Sequence, residues 1–149
     1  MAQFEPKQKG ALLLRFFQNL ALVRGTFGPK LVAHFEPFYP HLIDSAANNH
    51  QRMIRLQYNE KLDFPDYQHD NDLWISLQDY QNADWNTTIK MWKYYNLHMI
   101  QVIKSVDQTK LDNSWQNFED NTVTLRQMIE GYLGHIELHL NEIQELIDN

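Results

Sequence analysis

Two histidines near the end of the chain have a spacing that can bind a metal ion. His135 and His139 are four residues apart in a stretch, 124–147, whose apolar residues recur at helical spacing. On a helix, imidazoles at this spacing stack one turn above the other, which brings two ring nitrogens to one point. Each histidine taken alone is more simply interpreted as a half-buried core residue. A third ligand on a facing helix would strengthen the prediction of a metal site.

The helix that carries this pair is one of four long helices that the sequence predicts. Apolar periodicity predicts helices near 8–24, 40–58, 84–106 and 122–147, and a short helix near 72–80. Asp84 is a candidate N-cap, Thr124 and Gln127 form a candidate capping box, and 105–121 is predicted to be a polar loop. The long connection between helices two and three can return along the molecule. We therefore predict a single all-α domain, 1–149, that is a four-helix bundle with one long crossover between helices two and three.

Composition narrows the classes of function. A chain of 149 residues suits one domain, and its net charge of -6 argues against binding the phosphates of a nucleic acid. The absence of cysteine excludes disulfides and thiolate metal ligands. The apolar stretch 11–23 is too short, and too polar at Arg15, Gln18 and Asn19, to span a membrane. We expect a cytoplasmic protein with neither a nucleic-acid partner nor a membrane partner.

The second predicted helix carries a polar stripe beside its apolar face. His41, Ser45, Asn48 and Arg52 follow one another at spacings of four, three and four residues. Such a stripe is commonly a solvated helix edge, but it also describes one wall of a polar pocket. Asp44 lies off the stripe and is expected to be either a solvent-side carboxylate or a helix N-terminal carboxylate that favours the local dipole.

Several segments of the chain resemble a known family. They are His-Leu-Ile-Asp-Ser-Ala-Ala-Asn-Asn-His-Gln-Arg at 41–52, Phe-Pro-Asp-Tyr at 64–67, Trp74 and Tyr80, residues 92–96, and Tyr-Leu-Gly-His-Ile-Glu-Leu-His-Leu-Asn-Glu-Ile at 132–143. Together they resemble the DinB superfamily, most closely its YfiT-like branch of metal-dependent hydrolases and thiol S-transferases. The resemblance covers about 40–147. It implies that His41, His135 and His139 bind one divalent ion, nickel or zinc, with water in the open positions.

The chain also departs from the family pattern. The tryptophan that usually begins the second helix is absent, and 33–40 contains two prolines, so His34 is a reserve candidate for the third ligand. His50 is expected to face away from the site, because it lies half a turn round the helix from His41. His69 and His98 are expected to be solvent histidines.

The resemblance implies a metal-dependent enzyme that activates a thiol or a water for reaction with a small-molecule substrate. A low-molecular-weight thiol is the implied co-substrate, and Ser45, Asn48 and Arg52 are predicted to bind substrate or to orient the ligands. Two alternatives stay open: a non-catalytic bundle that binds a metal or small molecule, and an interaction module without metal. A homodimer is expected, because the predicted helix at 8–24 is apolar around more than half of its circumference.

Overall fold

The computed structural model describes residues 39–63 and 71–148. Within these ranges the chain is mainly helical and contains one small sheet. The helices are α1 (Tyr39–Leu56), α2 (Asn71–Leu77), α3 (Trp85–Lys104) and α4 (Leu125–Asp148), and the strands are β1 (Lys61–Leu62), β2 (Ser114–Gln116) and β3 (Thr122–Thr124). Two single-turn 3-10 helices, Tyr80–Asn82 and Gln108–Lys110, lie in the connections. The predicted helix at 8–24 lies outside the described residues.

Local capping signals determine where two of the helices begin. Asp84 Oδ2 accepts a hydrogen bond from the Thr87 backbone N–H at 2.8 Å, so Asp84 caps α3 as predicted. The predicted capping box of α4 is also confirmed. Gln127 donates its backbone N–H to Thr124 Oγ1 at 3.2 Å, and its side-chain oxygen accepts from the Thr124 N–H at 2.9 Å. These bonds satisfy N–H groups that the first turn of a helix leaves without intrahelical partners.

The three long helices share one hydrophobic core, in which α1 contacts both α3 and α4. The fully buried side chains include Ala46, Met53 and Leu56 of α1, Trp92 and Met99 of α3, and Leu125 and Ile129 of α4. They recur at helical spacing on each element, so the burial of one face explains the amphipathic patterns of the sequence. No helix of the described part of the chain is both long and apolar enough to cross a membrane.

The all-α prediction is wrong in one region. Residues 105–121, which were predicted to form a polar loop, contain β2 and the buried side chains of Leu111 and Trp115. β2 pairs in parallel with β1 and antiparallel with β3. Such short strands carry too few residues to show an alternating pattern, so the period-two signal is absent from the sequence. The predicted helix at 122–147 correspondingly begins at Leu125, because 122–124 pairs in the sheet.

The small sheet is attached to the end of α1 that lies far from His41. Asn113 Nδ2 donates a hydrogen bond of 2.6 Å to the Leu56 carbonyl, one of the last carbonyls of α1. The Arg52 guanidinium lies over the Trp115 ring, 4.4 Å from its centroid, in a cation–π contact. These contacts attach the last two turns of α1 to the sheet.

Candidate metal centre

Three histidines from two helices meet at the beginning of α1. Nε2 of His135 lies 3.2 Å from Nε2 of His41 and 2.9 Å from Nε2 of His139. One ring nitrogen of each residue lies within 4.8 Å of the corresponding atoms of the other two. The rings stand nearly perpendicular to one another, at 87° for His41 and His135 and at 85° for His135 and His139. The structure therefore brings together the three residues that the sequence analysis singled out.

Local structure explains how each ring reaches this point. His41 lies in the first turn of α1, where Pro40 is tolerated because first-turn N–H groups have no intrahelical acceptor. His135 and His139 lie on α4 at the edge of its core face, beside the buried Ile136 and Leu140. All three imidazoles are half-buried. Their helical backbones are rigid, so the separations of the rings depend on how α1 packs against α4.

The separations of the nitrogens suit a shared cation. Two nitrogens bonded to one zinc ion at about 2.0–2.1 Å stand roughly 2.9 Å apart at a right angle and roughly 3.4 Å apart at the tetrahedral angle. The distances from His135 to its two neighbours, 2.9 and 3.2 Å, fall in this range. A proton on His135 Nε2 can form one well-directed hydrogen bond, whereas a divalent ion accepts the lone pairs of all three rings. The donor set therefore fits a metal ion.

A carboxylate orients His139. Glu142 Oε2 lies 2.7 Å from His139 Nδ1. An ionised carboxylate only accepts hydrogen bonds, so Nδ1 carries the proton and a neutral His139 presents the lone pair of Nε2 to the other rings. A carboxylate behind a histidine ligand also raises the basicity of the ligand. The spacing of Glu142, three residues after His139, was visible in the sequence, but its role was missed there.

Ser45 contacts the central histidine. Its hydroxyl oxygen lies 3.5 Å from His135 Nδ1, a long contact, and Asn49 donates to the Ser45 carbonyl at 2.9 Å. A proton on His135 Nδ1 would point toward this hydroxyl and leave the Nε2 lone pair directed at the other two rings. Ser45 is therefore a residue of the predicted polar stripe whose hydroxyl reaches the triad.

The electrostatic surroundings keep the central ring neutral. Burial, with contributions from His139 and His41, lowers the pKa of His135 to about 4, while Glu142 acts in the opposite direction. A neutral imidazole is the form that binds a metal. At neutral pH His135 therefore has a lone pair available without first releasing a proton.

The rest of the predicted polar stripe extends away from the triad. Asn48 is half-buried two turns beyond His41, on the same side of α1. Arg52 is eleven residues beyond His41, a rise of about 16 Å at 1.5 Å per residue. Its guanidinium packs on the Trp115 ring. Arg52 therefore joins α1 to the sheet and does not contact the triad.

The expectation that Asp44 faces solvent is wrong. Its side chain is buried, with 5% of its surface exposed, and does not face solvent. Gln78 Nε2 lies 3.0 Å from each carboxylate oxygen, and the Tyr80 hydroxyl donates to Gln78 Oε1 at 3.1 Å. Asp44 thereby attaches the segment after α2 to α1, one turn beyond His41. A partner 34 residues away is set by tertiary packing, and no local pattern indicated it.

Two of the remaining four histidines, His50 and His98, lie in the described part of the chain. His50 faces away from the triad, as predicted, and contacts Tyr95 and His98 of α3. His98 is exposed, also as predicted. The reserve ligand His34 and the loop residue His69 lie outside the described residues.

Fold and site together define a mainly helical protein with three histidines placed to bind a metal ion. Comparisons with models of protein families, with curated proteins and with solved structures found no match to this chain. Function is therefore inferred from the site itself.

Proposed function

We propose that this protein is a metal-dependent enzyme in which His41, His135 and His139 hold one divalent ion, nickel or zinc. The observation that supports this proposal is the convergence of three Nε2 atoms, with 3.2 and 2.9 Å between neighbours. Three protein ligands leave coordination positions open, which is typical of catalytic sites, whereas structural zinc sites are closed by four. Half-burial of the triad leaves it within reach of a small molecule.

The reaction class that fits this donor set is the activation of a thiol or a water. A bound divalent ion supplies a Lewis acid, which lowers the pKa of the nucleophile so that it reacts at neutral pH. Glu142 fixes the proton of His139 on Nδ1, and Ser45 is placed to do the same for His135. Asn48 continues this polar face of α1 and offers an amide for a small-molecule substrate. We infer thiol S-transfer or hydrolysis, with a low-molecular-weight thiol as the co-substrate in the first case.

Membership of the DinB superfamily, in its YfiT-like branch, is part of the same proposal. It is supported by the meeting of the two motifs that carry the resemblance, His41 to Ser45 on α1 and His135 to His139 on α4. We also propose that the amphipathic segment 8–24 completes a four-helix bundle with α1, α3 and α4. Such a bundle places metal ligands on facing helices, which agrees with the origin of the triad.

Metal content tests the first step. Protein purified without a metal-affinity tag and dialysed against a weak chelator is expected to retain about one equivalent of nickel or zinc, the stoichiometry of a single three-ligand site. His139→Ala is expected to lose it and to keep its helical circular dichroism, because the hydrophobic core is intact. Asn141→Ala is the matched control, since it removes an exposed polar side chain two residues after His139 on the same helix. Equal metal in wild type and His139→Ala would contradict the site.

Turnover tests the second step. The metal-loaded protein is incubated with low-molecular-weight thiols and electrophilic acceptors, and separately with ester and amide substrates. Conjugation or hydrolysis that disappears in His139→Ala supports the enzyme. A stoichiometric metal with no turnover in either screen would instead support a non-catalytic binding protein. Absence of metal from a well-folded wild type would support an interaction module.

A further inference from the structure

A second group of histidines lies between α1 and α3. His50 of α1 packs against His98 of α3 with ring centroids 5.0 Å apart and an interplanar angle of 89°. The Tyr95 hydroxyl lies 3.3 Å from His50 Nδ1, and the two rings meet edge to face at 5.7 Å. His50 and Tyr95 are half-buried, and His98 is exposed. These two imidazoles and the phenol have no role in the proposed reaction.

The ring geometry of this pair matches that of the triad. Neighbouring triad rings have centroids 5.2 and 4.5 Å apart and interplanar angles of 87° and 85°. In those pairs the Nε2 atoms approach to 3.2 and 2.9 Å. Rings separated by 5.0 Å at 89° can therefore direct one nitrogen each at a common ion after small rotations about their side-chain bonds.

The surroundings of His50 favour a metal-binding form. The pKa of His50 is lowered, first by partial burial and second by the nearby His98, so the ring is neutral at pH 7. Burial raises the pKa of Tyr95, which keeps its phenol protonated. The phenol oxygen can accept a hydrogen bond from His50 Nδ1–H, and Nε2 is then available as a ligand. The Tyr95 hydroxyl contacts Nδ1 of His50, as the Glu142 carboxylate contacts Nδ1 of His139. The oxygen partner of His50 is uncharged.

We propose that His50 and His98 form a second site for a divalent transition metal, bound by one imidazole from each helix and otherwise by water. Copper(II) is expected to bind most tightly among the first-row divalent ions, because nitrogen sites follow the Irving–Williams order. His50 is nine residues after His41, a rise of about 13.5 Å along α1 and half a turn around it. One ion cannot span this separation, so the second site is independent of the triad.

Copper titration of the full chain tests this proposal. Metal-free His135→Ala, in which the triad is disrupted, is titrated with copper(II) by calorimetry and visible absorption. It is expected to show one saturable site, which is lost in His135→Ala/His98→Ala. The matched control is His135→Ala/His139→Ala, which removes a second imidazole of the triad and should retain the site. Unchanged binding after the His98 substitution, or loss of binding in the His139 control, would overturn the proposal.

A second measurement on wild type avoids dependence on the folding of these variants. After one equivalent of zinc has been added, trace copper(II) should broaden the imidazole NMR signals of His50 and His98 before those of His34 and His69. Earlier broadening of His34 or His69 would contradict the site. The titration of His135→Ala does not depend on zinc binding at the triad, so the two proposals fail separately.

Discussion

Two histidine clusters lie on opposite sides of α1 and differ in number, burial and partners. The triad joins α1 to α4 with three half-buried imidazoles, one of which is held by a carboxylate. The pair joins α1 to α3 with two imidazoles, one of them exposed, and its oxygen partner is a phenol. Ring spacing is alike in both. We therefore expect metal affinity to depend less on ring spacing than on two other features. These are the number of lone pairs that converge and the presence of a carboxylate hydrogen-bonded to a ligand.

The largest expected difference between the clusters is the stabilisation by zinc. Zinc at 100 times its dissociation constant should raise the free energy of unfolding of wild type by about 2.7 kcal/mol. For a chain of this size that corresponds to a rise in Tm of roughly 5–11 °C. His135→Ala should abolish the shift, because it removes the central ligand, while His98→Ala should retain it. Thermal denaturation with and without zinc measures this, and a full shift in His135→Ala would assign zinc to another site.

Loss of the Glu142 carboxylate, which contacts His139, should weaken zinc binding nearly as much as loss of His135. Glu142→Ala is expected to weaken zinc binding by about 10- to 100-fold, because it removes the acceptor that fixes the proton on Nδ1. Glu142→Gln keeps an oxygen acceptor and should restore part of the affinity. Competition with a chromophoric chelator measures both constants. Equal affinities in wild type and Glu142→Ala would show that Glu142 does not orient the ligand.

Two tyrosines near these clusters should differ in how much their hydroxyls contribute to the free energy of unfolding, because they differ in burial. Tyr132 is buried and donates a 2.7 Å hydrogen bond to Asn96 Oδ1, and Asn96 is itself buried. Tyr132→Phe leaves that acceptor without its donor and should cost about 1–3 kcal/mol of unfolding free energy. Tyr95→Phe, at the half-buried pair, should cost less, because water can replace the hydroxyl. Urea denaturation compares them, and an equal loss would mean that Tyr95 is as desolvated as Tyr132.

The last difference concerns pH in the metal-free protein. The pKa of His135 is lowered to about 4 from its ordinary value of 6.5, so the unfolded chain binds more protons between these values. Stability from this group is therefore complete above about pH 6.5 and decreases as the pH falls toward 4. His50, on the side of α1 that faces away from the triad, should also titrate below its ordinary pKa. NMR titration of the imidazole signals measures both midpoints, and an unshifted His135 would contradict its burial.

Part of the candidate site followed from sequence spacing. His135 and His139 are one helical turn apart, so their proximity depends only on α4 being a helix. The choice of His41 as the third ligand came from a family resemblance, because periodicity alone could not decide which face of α1 meets α4. Glu142 was accessible to the same turn-spacing argument. Gln78 was not, since its contact with Asp44 crosses 34 residues and depends on how the segment after α2 folds back.

The long described helices could be located from the sequence to within a few residues, because their signals are local. Asp84, Thr124 and Gln127 are within three residues of the groups they cap, and the apolar periodicity of each helix is set within its own turns. The tertiary structure was needed to show that His41 meets the pair on α4, that Asp44 is buried and that 114–116 pairs with two other strands. Those features depend on the packing of distant segments, whose energy is spread over many side chains and leaves no pattern in any one of them.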